Sequence, residues 1–144
     1  MSLFNPSRDQ VRQFFFETWA KYQQQSALTD LEKIALEVIQ LHPEYQAILS
    51  KPTQFASQEY FPEMGETNPF LHLSLHLSVI EQISINQPTG ISQIYETLKA
   101  KHHDKHPAQH AILECLAETI WQAQRNKTPL DSEHYLNLLQ NQLE

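Results

Sequence analysis

Two glycines in 144 residues leave this chain few places for the tight left-handed turns on which hairpins and sheets depend. Its prolines stand where helices begin, and strand-type alternation of apolar and polar residues is scarce. The chain therefore reads as all-α. With 40% apolar content it is long enough for one packed core and short for two. Residues 1–144 are expected to form a single-domain irregular helical bundle of five to seven helices, with no internal repeat.

Local signals place those helices. Ser7 and Gln10 are spaced as a capping box opening a helix from about Arg8 to Tyr22, with Val11, Phe14, Phe15, Trp19 and Tyr22 as its apolar stripe. A second box, Thr29 and Glu32, opens a helix that ends near the proline of HPEY. A short helix follows from Pro43. Residues 50–67 carry three aromatics, Phe55, Tyr60 and Phe61, without a sustained period, and read as an ordered loop packed on the bundle. Asn68 and Pro69 open the most apolar helix, NPFLHLSLHLSVIEQISI, which stops before the turn-forming Asn86 to Gly90. A short helix carries Ile91, Ile94, Tyr95 and Leu98. Pro107 then opens a helix running to about Arg125, and a final one spans Asp131 to Leu143.

Charge and cysteine content limit the function classes. The formal charge of −7 and scattered Lys and Arg argue against nucleic acid, which needs a basic stripe. Cys115 is the only cysteine, so no intrachain disulfide can form, and it reads as a small buried hydrophobe. The longest apolar stretch is broken by His72, Ser74, His76, Ser78, Glu81 and Gln82, so no membrane span is expected. MSLFNPSRDQ has neither an apolar signal core nor transit-peptide composition. The expected location is the cytoplasm.

The greasy helix raises the functional question. At about 100° per residue, His72 and His76 lie roughly 40° apart in the middle of its apolar stripe, flanked by Leu75, Val79, Ile80 and Ile83. A buried imidazole left without a partner costs about 1–3 kcal/mol, so each ring needs a hydrogen bond or a metal. His110 and Glu114, again four apart, sit at the core edge of the helix in HPAQHAILECLAE, with Glu118 and Gln122 continuing toward solvent. His106 is expected at or just outside that helix's N-cap, and His102 and His103 in the preceding loop. The candidate metal set is His72, His76, His110 and Glu114 on two facing helices. Three imidazoles and a carboxylate suit one divalent transition metal: zinc, nickel or ferrous iron.

Sharper motifs are missing. No Glu-x-x-His occurs, which disfavours a carboxylate-bridged di-iron bundle. Leu-Ser-Leu separates His72 from His76, without the glutamate that serves a zincin as base. There is no Gly-rich phosphate loop and no nucleophile elbow. Chemistry at such a site would use metal-bound water, with Glu114 or Glu118 as base.

FNPSRDQVRQFF, HPEY, NPFLHLSLHL with EQISINQPTGI, and HPAQHAILECLAETIWQAQR, in that order across nearly the whole chain, resemble a bacterial family catalogued as a domain of unknown function, number 1841. The resemblance implies no substrate, cofactor or catalytic residue. Asn86 departs from the family pattern, which has aspartate before Gln-Pro. At about four helical turns from His72, that position bears on a helix-end or turn role and not on the metal.

Three classes follow. One is a metal-binding bundle, catalytic or not. The second is a non-enzymatic module for a protein partner or a homo-oligomer, its histidines forming a hydrogen-bonded core cluster. The third is a small-ligand pocket between helices, lined by aromatics of the first helix and the long loop.

Overall fold

The computed structural model describes residues 8–60 and 68–144. Among the described residues there are helices and no strands, so the all-α expectation holds. The helices are α1 (Arg8–Gln23), α2 (Asp30–Gln40), α3 (Gln46–Leu49), α4 (Pro52–Phe55), α5 (Pro69–Ile85), α6 (Ile91–His102), α7 (Lys105–Asn126) and α8 (Ser132–Gln142). A 3-10 turn, Pro43–Tyr45, precedes α3. Ser7 of the first expected box and Phe61 lie outside the described residues.

By contact, the chain groups into two compact units, Met1–Leu77 and Ser78–Glu144. In the first, α1 packs on α2 and α3, and α3 on α4. The buried face of α1 is Phe15, Phe16, Trp19, Thr18 and Arg12, displaced from the expected stripe, so that Tyr22 is exposed. Arg12 explains the shift. Only 2% exposed, it donates from Nη1 to the carbonyls of Phe55 and Ala56, each at 3.1 Å. Its guanidinium also lies 4.6 Å from the Phe70 ring centroid and 5.6 Å from that of Tyr60, within cation–π range. These bonds fasten the end of α4 and the segment after it, where Phe55 and Tyr60 are half-buried.

Capping residues set the helix ends. The Thr29 side chain accepts from the Glu32 backbone N–H at 3.1 Å while Glu32 accepts from the Thr29 N–H at 2.9 Å, completing the expected box at α2. Lys21 of α1 pairs with the same carboxylate at 2.9 Å. Asn68 Oδ1 accepts from the N–H groups of Phe70 and Leu71, satisfying two donors that α5 leaves over at its start.

In the second unit α6 packs on α7 and α8, and α7 on α8. Its core includes Val79, Ile91, Leu98, Ile112, Tyr135 and Leu139. Buried at its centre, the Tyr135 hydroxyl donates to Gln82 Oε1 at 2.7 Å. Asn86 takes φ 54°, and its Oδ1 accepts from the N–H groups of Gly90 and Ser92. The turn role is thus met by an amide oxygen where an aspartate would offer a carboxylate oxygen. Gly90, at φ 104°, starts α6 in a left-handed conformation that a side chain would strain. Asp104 caps α7, accepting from the His106 N–H. The helix therefore begins before Pro107, which is tolerated because first-turn N–H groups have no helical partner.

Candidate metal centre

Pro43 brings the first functional histidine into place. A residue before proline is driven out of helical conformation, and His42 (φ −126°, ψ 67°) ends α2 there with its ring buried at 3% exposure. Its Nδ1 lies 2.8 Å from the Val38 carbonyl oxygen. A carbonyl can only accept, so Nδ1 carries the proton, and one carbonyl left over at the end of α2 is satisfied. In the neutral ring the lone pair then belongs to Nε2. That is the arrangement of a ligating histidine, whose second nitrogen donates to a carbonyl and thereby fixes tautomer and orientation.

His72 and His76, one turn apart on α5, face His42. The Nε2 atoms of His72 and His42 are 3.0 Å apart. The rings of His42 and His76 stand edge to face with centroids 5.3 Å apart. His76 is fully buried, whereas His72 is half-buried. Tyr45 stacks on His42, centroids 5.4 Å apart and 7° from parallel, and stands edge to face with His72 at 6.0 Å. Loss of solvent, with the nearby Glu44 charge, raises the Tyr45 pKa above the ordinary phenol value, so the ring is a neutral wall.

On α7, His106 and His110 form a second pair, Nε2 to Nε2 at 3.0 Å and ring centroids 4.3 Å apart. Both are half-buried. They line a shallow cavity of about 490 Å³ with His102, Glu114 and Gln142. Glu114 is exposed, as is Glu118, which accepts from Gln122 Nε2.

The described histidines near these helices thus fall in two groups, His42, His72 and His76 in the first unit and His106 and His110 in the second. Of the residues expected from sequence, His72 and His76 lie in the first group and His110 in the second, and Glu114 shares a cavity with His106 and His110. A tetrahedral ion with Zn–N bonds of about 2.0–2.1 Å needs nitrogens roughly 3.3 Å apart. The 3.0 Å pair on α7 is close to that separation. All-nitrogen ligation suits zinc, nickel or iron.

The family model described as "Domain of unknown function (DUF1841)" matches residues 7–141. The chain belongs to this family. No curated protein and no solved structure matches it. Sequence reasoning missed one histidine of each DUF1841 group, and each had a signal. His42 is a histidine immediately before proline at a helix end. His106 lies two residues after Asp104, a good N-cap, which places it in the first turn of α7 and one turn from His110. Among the described residues, no helix of the DUF1841 chain is long and apolar enough to cross a membrane.

Proposed function

We propose that the DUF1841 chain binds a divalent transition metal (zinc, nickel or ferrous iron), with His42, His76, His106 and His110 as its ligand residues. The observations that carry this reading are the 3.0 Å approach of the His106 and His110 Nε2 atoms and the closeness of the His42 and His76 rings, centroids 5.3 Å apart. The tautomer of His42, set by Val38, adds to it, because the remaining nitrogen carries the lone pair that a metal needs. His106 and His110 face a solvent-accessible cavity, through which the ion would enter. Tight pairing requires that whichever of these two rings donates in the 3.0 Å contact move that proton to its other nitrogen before both bind.

The alternative, a hydrogen-bonded histidine cluster in a non-enzymatic interaction module, is favoured by the two 3.0 Å nitrogen contacts, each sufficient as a hydrogen bond. Elemental analysis of protein purified without an immobilised-metal column separates the two. The metal reading expects at least one equivalent of zinc, nickel or iron per chain, retained through gel filtration and reduced in His42→Gln or His106→Gln. Less than a tenth of an equivalent, unchanged after incubation with each metal, would leave the hydrogen-bonded cluster.

A further inference from the structure

His72 stands in an unusual relation to His42. The Val38 carbonyl holds the proton of His42 on Nδ1, so the 3.0 Å contact between Nε2 atoms requires, for a neutral His42, that His72 donate its Nε2–H to the His42 lone pair. An ion bound to His42 needs that same lone pair. The two uses exclude each other, since one sp² nitrogen lone pair cannot both accept a short hydrogen bond and coordinate.

We propose that His72 is a gate residue of the metal site, its Nε2–H occupying the His42 lone pair until an incoming ion displaces it. This rests on the metal-binding reading above. The position of His72 suits the role. It is half-buried where His42 and His76 are buried, and it lies near the start of α5 next to the exposed Leu71. Metal binding therefore includes breaking one internal hydrogen bond, and removing that bond raises affinity.

Zinc(II) titrations of the wild type, His72→Phe, His72→Gln and His42→Gln test this, with far-UV circular dichroism melts confirming that each variant folds. Phenylalanine keeps the ring and deletes the donor, so His72→Phe is expected to bind zinc roughly two- to tenfold more tightly than the wild type. His72→Gln, whose amide still donates, should stay near the wild type, and His42→Gln should lose binding. Nitrogen-15 spectra of the imidazoles add a readout that does not depend on variants. The metal-free wild type should show His42 protonated on Nδ1 and His72 on Nε2, with the His72 signal shifting as zinc is added. Zinc binding by the wild type with equal or weaker binding by His72→Phe would overturn the gate and leave the metal site standing. A wild type that takes up no zinc would overturn both.

Discussion

His106 and His110 meet across one turn of α7 with their Nε2 atoms 3.0 Å apart, and the carboxylate one turn further on, Glu114, is exposed. The two imidazoles and the carboxylate therefore differ in what they contribute. His106→Gln or His110→Gln is expected to weaken zinc binding by about 100-fold through the loss of one ligand. Glu114→Gln should change it less than about twofold. Isothermal titration of the three variants decides this, and a large loss in Glu114→Gln would return the carboxylate to the ligand set.

Cys115 is predicted to be inert in the folded protein. It is 4% exposed, and burial, helped by the Glu114 charge, pushes its thiol up to about 11. Little thiolate exists at neutral pH. A disulfide-exchange reagent at pH 8 should label the native chain only as fast as it unfolds, and the denatured chain at once. Stoichiometric labelling within seconds under native conditions would contradict this.

Tyr135 and Gln82 form a buried pair, hydroxyl to amide oxygen at 2.7 Å. Tyr135→Phe leaves that oxygen buried without its donor and is expected to cost about 1–3 kcal/mol in urea unfolding. Tyr135→Phe combined with Gln82→Leu removes both partners and should recover part of the loss. Strict additivity of the two single costs would show that the pair is not coupled.

Glu32 links stability to acid pH. Its pKa is lowered from 4.5, first by the Thr29 backbone N–H and then by Lys21, against the opposing effect of burial. The contribution is therefore present above the unfolded value and lost as pH falls through the lower folded value. Glu32→Gln, which keeps an acceptor for the cap and loses the charge, should flatten this part of the stability profile below about pH 4.5. Thr29→Ala should cost about 1 kcal/mol at neutral pH. An acid profile unchanged in Glu32→Gln would place the acid sensitivity elsewhere.

How far the sequence could be read depended on the kind of signal. The α2 box and the Asn68–Pro69 start of α5 were legible because a cap is local chemistry, complete within four residues. Arg12 was not, because periodicity counts apolar side chains and misses a guanidinium buried by two distant carbonyls and the Phe70 ring. The buried place of His76 and the core-edge place of His110 were legible from helical phase. His42 was hidden because it lies on no helical stripe. HPEY reads as a stop signal, and its histidine enters the cluster only through the bend that Pro43 imposes. His106 was hidden by Pro107, which marks a helix start so strongly that the better cap at Asp104 was passed over.

Zinc-edge X-ray absorption on the zinc complex tests the central claim most directly. Histidine ligation predicts a first shell of nitrogens at roughly 2.0–2.1 Å with the outer-shell scattering of imidazole rings, which weakens in His42→Gln. A six-coordinate oxygen shell, unchanged when His42, His76, His106 or His110 is replaced, would contradict it.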